Sequence, residues 1–267
     1  MLPDFSPYFM WATMESMALY LMGVEPVWNP RGVVNDLRLI PDAELGRPRV
    51  DVVFSISGIY RDGMSDKVLL LNRAARMAAA AGDNAISRHD REVAESLRKS
   101  SVDGEMAGKI VRARVFGNKP GQYGVGLDKM VEQSKDAGNT QGLADVYSHY
   151  MSFAFSSEVW GQTAPKALES HLAKNEAVLF SRSTNLYGIL DNDDTYQYVG
   201  GLNLATKVAN HGAAPEFYIH NLRKPGSESL VDVKTWLANE LNGRQWNPKW
   251  IVRYRKYIRP PLRTQRV

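Results

Sequence analysis

The feature that most constrains the fold is a short apolar strand pattern followed at once by an amphipathic helix pattern. Residues 50–57, VDVVFSIS, form a continuous β-branched run, which is typical of a strand buried on both faces. A turn over 58–63 leads to a helical pattern over 67–81, which Gly82 ends and which has Val68, Leu71, Ala75 and Ala78 on one face. This β-loop-α unit predicts an open α/β sheet, in which ligands bind in the loops after the strands.

The rest of the chain continues the alternation of strands and helices. Further strands are predicted over 33–40, 177–181 and 216–219, and further helices over 8–22, 88–100, 140–155, 195–210, 229–242 and from Pro248 onward. The prediction is therefore an α/β fold with a layered, mainly parallel sheet and flanking helices. We find no internal repeat and no long linker, so residues 1–252 are interpreted as one region and 253–267 as a divergent basic tail.

Composition excludes several classes of protein. The 267 residues contain no cysteine, which excludes a disulfide scaffold, a thiolate metal site and a cysteine nucleophile, and which fits a reducing cytoplasm. The apolar first 23 residues lack a basic leader and are interrupted by Asp4 and Glu15, so we expect a buried helix and no membrane span.

The positive charge is concentrated at the carboxyl end. The net charge is +4, yet six basic residues fall in the last 15 positions, and the rest of the chain is slightly negative without them. The body is therefore not expected to bind nucleic acid. The tail is interpreted as solvated, with contact to an acidic partner or RNA as the alternative.

A glycine-rich segment over 114–126 offers backbone that a bulky ligand can approach closely. It lacks the Gly-Lys-Ser or Gly-Lys-Thr step of a phosphate loop, and its glycines do not follow a convincing strand, so a dinucleotide fingerprint is not supported. Lys119 and Tyr123 are its polar handles. A structured loop without a ligand explains the segment equally well.

Carboxylates form the second group of candidates. Asp191, Asp193 and Asp194 could hold a divalent cation, although an N-cap cluster for the following helix is the favoured interpretation. Glu15 lies within an apolar helix, where its burial is costly unless the carboxylate is paired or faces a cavity. The five histidines lack zinc-type spacing, so each is interpreted as a surface or core residue: His89, His149, His171, His211 and His220. No Gly-x-Ser-x-Gly elbow is present.

Five segments, in order along the chain, resemble the large subunits of cobaltochelatase and of magnesium chelatase. The strongest begins Leu-Gly-Arg-Pro-Arg-Val-Asp-Val-Val at residue 45, and the segments lie at 15–28, 45–76, 113–127, 190–201 and 247–250. The Asn-Lys-Pro-Gly form at 118–121 and the Asp-Asp-x-Tyr-Gln-Tyr form at 193–198 are more similar to the cobalt enzyme.

The resemblance implies a subunit that binds a tetrapyrrole and a metal ion while separate AAA+ subunits hydrolyse ATP. For the cobalt enzyme, the ring is a corrin precursor, hydrogenobyrinic acid a,c-diamide, and Co²⁺ is the metal substrate. Insertion removes two ring protons and the water shell of the metal, which carboxylates can assist.

Candidate roles follow from the matched positions. Glu15 is the candidate base or metal relay. Arg61 is the second catalytic candidate and could bind carboxylates of the ring. The candidate substrate-binding residues are Ser57, Lys119, Tyr123, Asn185 and Tyr196. The candidate metal ligands are Asp191, Asp193 and Asp194.

Large subunits of this family are several times longer than 267 residues. The resemblance therefore implies that this chain covers a carboxyl-terminal part, and a separate amino-terminal part is an expected partner. The alternatives are a non-catalytic tetrapyrrole-binding or assembly module, an inactive remnant, and a subunit of the magnesium type.

Overall fold

The chain folds as a mixed α/β protein in which helices flank three sheets. The computed structural model describes residues 6–127, 130, 140–224 and 226–255, with side chains from residue 13 onward. Within that part, nine strands form sheets of two, four and three strands. The predicted α/β class with flanking helices is confirmed.

The amino-terminal layer is a helix packed on a hairpin. Helix α1 (Ser6–Met22) ends where Gly23 adopts a positive φ of 73°, a conformation that favours glycine. Strands β1 (Val24–Trp28) and β2 (Val34–Leu39) pair antiparallel, and a short helix α2 (Asp42–Leu45) follows. Buried side chains of α1 join alanines of α4 (Ser65–Ala79) in one core cluster.

The central sheet has the order β3-β4-β5-β6. Strands β3 (Phe54–Ile56) and β4 (Val115–Gly117) are parallel, whereas β5 (Phe153–Phe155) and β6 (Trp160–Thr163) are added antiparallel. Only residues 156–159 join β5 to β6, too few for the crossover that a parallel pair needs. At Gly117 the sheet is tight, since a Cβ atom there would lie 2.7 Å from the carbonyl oxygen of Ile56.

Helices cover this sheet, and local sequence explains where two of them begin. Asn84 accepts hydrogen bonds from the backbone N–H groups of Ile86 and Ser87 and starts α5, and Pro165 occupies the first turn of α8. The helices are α3 (Gly58–Gly63), α4, α5 (Ala85–Arg98), α6 (Gly104–Ile110), α7 (Thr140–Met151) and α8 (Pro165–Leu172).

The carboxyl-terminal layer is a second, smaller sheet. Strands β7 (Ala177–Arg182) and β8 (Glu216–Asn221) are parallel, and β9 (Ser229–Asp232) pairs antiparallel with β8. Between β7 and β8 lie a 3₁₀ turn (Ile189–Asp191), a π-helical turn (Thr195–Gly200) and α9 (Gly201–Ala209). Helices α10 (Val233–Gly243) and α11 (Pro248–Arg255) complete this layer.

The structure differs from the sequence predictions at several boundaries. The strand predicted over 50–57 is reduced to Phe54–Ile56, and its central residue Ser55 is exposed, so this strand is not buried on both faces. The helix predicted over 140–155 ends at Met151, and its Phe-rich end forms β5 instead. The helix predicted from Ser229 begins as β9. Parallel pairing is limited to two ladders, and the other four are antiparallel.

Two further observations concern the ends of the chain. Residues 253–255 of the basic tail finish α11, and the remainder of the tail lies outside the described residues. In the part of the chain that is described, every helix is too short or too polar to cross a membrane.

Candidate functional site

The loops after β3 and β4 lie side by side because the two strands are parallel. Ser57 follows β3 and starts α3, where its hydroxyl accepts a hydrogen bond from the backbone N–H of Tyr60 at 3.2 Å. Asn118 follows β4 and opens the glycine-rich loop, which we define as residues 118–126. The carboxyl edge of the central sheet therefore carries the main candidate residues, as open α/β sheets lead one to expect.

Arg61 donates hydrogen bonds to backbone carbonyl groups of the glycine-rich loop. Its side chain is 1% exposed, and Nη1 donates to the carbonyl oxygens of Asn118 at 2.8 Å and Lys119 at 2.9 Å. Nε and Nη2 bind the carboxylate of Asp62 at 2.6 and 2.7 Å. The guanidinium is thus directed at the loop backbone and its neighbour, and direct contact of Arg61 with a ring carboxylate stays a prediction.

The Arg61–Asp62 pair also fixes the loop's exposed aromatic ring. The hydroxyl of Tyr123 donates to Oδ2 of Asp62 at 2.5 Å. The hydrogen bonds from Arg61 and then from Tyr123 lower the pKa of the Asp62 carboxyl to about 2, so it is ionised at neutral pH. Tyr123 is 61% exposed, and its ring lies 5.6 Å from the Arg61 guanidinium carbon.

The π-helical turn clamps the same loop from the other side. Oε1 of Gln197 accepts hydrogen bonds from the backbone N–H groups of Val125 at 2.7 Å and Gly126 at 3.1 Å. The hydroxyl of Tyr198 accepts one from the N–H of Gly124 at 3.1 Å. Segments far apart in sequence therefore form one hydrogen-bonded unit.

Two of the predicted ring-contacting residues remain accessible on this unit. Tyr196 is 36% exposed and donates its hydroxyl proton to the carbonyl oxygen of Leu190 at 3.1 Å. Lys119 is exposed, while its carbonyl oxygen is one of those that accept hydrogen bonds from Arg61. The structure thus places Ser57, Lys119 and Tyr123 in neighbouring loops, with Tyr196 on the segment that clamps them.

Glu15 reaches this edge of the sheet through a tyrosine. The Tyr60 hydroxyl on α3 donates a hydrogen bond to Oε1 of Glu15. Burial raises the pKa of Glu15, while the hydrogen bond from Tyr60 and the charge of Lys67 act in the opposite direction. Of the two alternatives left open for this carboxylate, pairing or a cavity, the structure shows a paired side chain, and its raised pKa suits a group that accepts a proton.

In the described part of the chain, the three aspartates at 191, 193 and 194 do not share hydrogen-bond partners. Asp191 accepts a hydrogen bond from the N–H of Gly188 at 2.7 Å and pairs with Arg244 at 2.7 Å. Asp193 accepts from Nε2 of Gln197 at 3.1 Å. Burial and then the charge of Asp193 raise the pKa of Asp194.

These three carboxylates do not converge into a cluster of possible ligands in the described structure. Asp194 precedes the π-helical turn without capping it through its side chain, so the favoured N-cap interpretation is not met there. Asp191 instead caps the 3₁₀ turn.

Asn185 lies apart from the glycine-rich loop. Its Oδ1 accepts a hydrogen bond from Nη1 of Arg223 at 3.0 Å, beside the carboxyl-terminal sheet. It lines a cleft of about 510 Å³ together with Tyr187, Trp236 and Trp250. The structure therefore does not bring Asn185 together with the other predicted substrate-binding residues.

A buried group of charged and imidazole side chains was missed by the sequence analysis. Asp51 bonds to Nδ1 of His89 at 2.7 Å and to Nε of Arg114 at 2.7 Å, and Arg114 also bonds to Asp90 at 2.7 Å. The ring of His171 contacts that of His89 edge-on, with centroids 4.6 Å apart. These residues come from four separate segments, so no spacing revealed them. The signal present was two charged residues beside apolar runs, Asp51 within the run over 50–57 and Arg114 directly before Val115.

Comparison with known proteins gives the class of the chain. The family model described as CobN/Magnesium Chelatase matches residues 11–257. The chain is similar to the aerobic cobaltochelatase subunit CobN of Sinorhizobium sp, with 31% identity over 241 residues, covering 88% of the chain and 19% of that protein. It is similar to a magnesium-chelatase subunit of Rhodobacter capsulatus, with 31% identity over 235 residues, covering 87% of the chain and 19% of that protein.

A solved structure agrees with these relatives. The catalytic subunit of cobaltochelatase from Mycobacterium tuberculosis superposes with a TM-score of 0.80 at 30% identity, over 91% of this chain and 20% of that one. The protein is therefore related to the large subunits of metal chelatases. The chain belongs to the CobN/magnesium chelatase family and spans about a fifth of the length of these relatives.

Proposed function

We propose that this chain forms part of the tetrapyrrole- and metal-binding surface of an ATP-dependent metal chelatase of the cobalt-inserting type. Its metal substrate would be Co²⁺ and its ring substrate a corrin precursor, hydrogenobyrinic acid a,c-diamide. The observation that carries the proposal is the glycine-rich loop, which is fixed from both sides while its exposed side chains Lys119 and Tyr123 stay accessible.

The rigidity of this loop suits a large planar ligand. Backbone amides held by Gln197 and carbonyls held by Arg61 leave little freedom to lose on binding. Tyrosine rings supply apolar contact area to a macrocycle, and Lys119 supplies a charge for a peripheral carboxylate. Arg61 acts in this proposal as a positioning residue that presents Lys119 and Tyr123.

Glu15 is the proton acceptor in this proposal. Metal insertion displaces two protons from ring nitrogens, and a carboxylate with raised pKa accepts a proton more readily than an ordinary one. Tyr60 holds the carboxylate in position from α3, the helix that begins at the Ser57 loop. Asp193 and Asp194, on the clamping segment, are secondary candidates for meeting the incoming metal.

We propose the cobalt type over the magnesium type because the sequences at 118–121 and 193–198 are more similar to the cobalt enzyme, although relatives of both types match the chain. The proposal includes separate AAA+ subunits that hydrolyse ATP, a further polypeptide that supplies the rest of the large subunit, and a cytoplasmic place of action. The magnesium-type subunit is the nearest competing function. A non-catalytic ring-binding or assembly module is the second.

A spectral titration tests the proposal. The purified chain is titrated with hydrogenobyrinic acid a,c-diamide, and in parallel with a porphyrin that carries propionate groups. We expect a saturable shift of the corrinoid spectrum that Tyr123→Ala weakens about tenfold. Tyr254→Ala, which removes an exposed ring from α11, is the matched control and leaves binding unchanged.

Three outcomes separate the alternatives. Tighter binding of the porphyrin than of the corrinoid would favour the magnesium type. Binding without Co²⁺ insertion, when the ATPase subunits and the rest of the large subunit are present, would favour a non-catalytic module. A folded chain that leaves both spectra unchanged would contradict the proposal.

A further inference from the structure

The buried group around Asp51 lies at the opposite end of β3 and β4 from the glycine-rich loop. Asp51 precedes β3, Arg114 precedes β4, His89 lies on α5 and His171 lies near the end of α8. One ligand atom each from Asp51, His89 and His171 lies within 4.8 Å of the other two. The group is thus separate from the surface of the proposed function, and the inference below does not rest on that function.

His171 has hydrogen-bonding capacity that its surroundings do not use. Its side chain is 2% exposed, and neither ring nitrogen has a hydrogen-bond partner of good geometry, although the backbone of Ala113 contributes a weak favourable interaction. An imidazole with such unengaged nitrogens can offer a lone pair, which is the form of histidine that binds metals.

Two carboxylates lie beside this group. Asp51 and Asp90 both bond to the guanidinium of Arg114, so the positive charge of Arg114 is paired. A metal ion could bind between Asp51 and Nδ1 of His89 in place of their contact, while Nε2 of His89 keeps its contact with the carbonyl oxygen of Ser170 at 3.2 Å. Arg114 would then hold the metal-binding carboxylate in orientation, as residues outside the ligand sphere commonly do.

We propose that Asp51, His89 and His171 bind one divalent transition-metal ion, Co²⁺ or Zn²⁺, where the segment before β3 meets α5 and α8. Two imidazoles and one carboxylate suit these ions better than Mg²⁺, which prefers oxygen ligands alone. In a tetrahedral site, ligand atoms lie about 3.3 Å apart. The most widely separated pair of ligand atoms, which lie at most 4.8 Å apart, would therefore move closer by at most about 1.5 Å on metal binding.

Metal binding to the whole chain tests this proposal directly. Untagged protein is stripped with EDTA, desalted and titrated with Co²⁺ by calorimetry and visible absorption. We expect one Co²⁺ per chain with the intense ligand-field absorption of a low-coordinate site, displaced by Zn²⁺. X-ray absorption at the cobalt edge should show two imidazole ligands.

Variants assign the site. His171→Phe keeps a ring of similar size in the core and should weaken Co²⁺ binding by about 100-fold or more. His149→Phe is the matched control, because His149 is exposed on α7, and it should bind as the wild type does.

The proposal is overturned if folded wild-type protein takes up no stoichiometric Co²⁺ or Zn²⁺. It is also overturned if the bound metal has fewer than two imidazole ligands or if His171→Phe binds with unchanged affinity. Should His171→Phe fail to fold, the X-ray absorption spectrum of the wild-type protein decides the matter without it.

Discussion

The hydrogen bonds of Gln197 lead to a sharp prediction for the glycine-rich loop. Replacing this 7%-exposed residue by leucine keeps a similar volume but removes the oxygen that accepts from the N–H groups of Val125 and Gly126. Val125 is buried, so its N–H is left without a partner, whereas Gly126 is exposed and its N–H can bind water. One orphaned buried donor costs about 1–3 kcal/mol.

This loss of free energy should mainly make local opening of the glycine-rich loop more favourable. Because each 1.4 kcal/mol corresponds to a factor of ten, the Gln197→Leu protein should exchange the backbone amides of residues 124–126 about 5–150 times faster. Hydrogen exchange read by mass spectrometry on peptides that cover the loop measures this. Peptides from α4 serve as the internal reference.

A matched variant separates the loop effect from a general effect of the substitution. Gln141→Leu makes the same change at an exposed position of α7, where the side chain bonds only to Asp145 among the contacts seen. It should leave exchange in the loop unchanged. Equal protection of residues 124–126 in wild type and Gln197→Leu would refute the view that this carboxamide fixes the loop.

Three further predictions concern stability. Because burial raises the pKa of Glu15, wild-type stability should fall as pH rises above about 4.5, and Glu15→Gln should unfold at higher urea concentration at pH 8 while the two proteins converge near pH 4. Burial alone would raise the pKa of Asp51, but the bonds to His89 and Arg114 lower it. Asp51→Asn should therefore lose about 3–5 kcal/mol of stability at neutral pH, and this loss should shrink as pH falls below about 4. An equal loss at pH 3 and pH 7 would argue against the ion pair. Gly117→Ala should lose about 1–3 kcal/mol because the new methyl group meets the sheet backbone, whereas Gly108→Ala, in open space on α6, should be neutral or slightly stabilising in the same melts.

Much of the fold could be predicted from local patterns. Gly23 ends α1 as expected, and Val68, Leu71, Ala75 and Ala78 form the buried face of α4 as expected. Both predictions depend on short-range physics, namely a left-handed terminal residue and a helical period. The predicted end of helix α7 was wrong because the sequence stays largely apolar from α7 into β5. No glycine or proline marks the point at which pairing with β4 begins.

The candidate site was predictable where it follows strand ends, and not elsewhere. Ser57 follows the strand that the β-loop-α pattern predicts, whereas Lys119 and Tyr123 join it because β4, a strand that was not predicted, pairs parallel with β3. The clamp by Gln197 joins residues more than 70 positions apart, and the Asp51–His89–His171 group joins two helices and the segment before β3. Single-sequence spacing carries no record of such contacts, because they depend on the packing of elements and not on their order.

The clamp of the glycine-rich loop has a consequence for engineering. One carboxamide oxygen from the segment after β7 serves two amides of the loop after β4, so each segment is shaped to the other. A chimera that takes only one of the two segments from a relative of different metal type would inherit mismatched halves. Exchange of this region between family members therefore calls for transplanting residues 118–126 and 193–198 together.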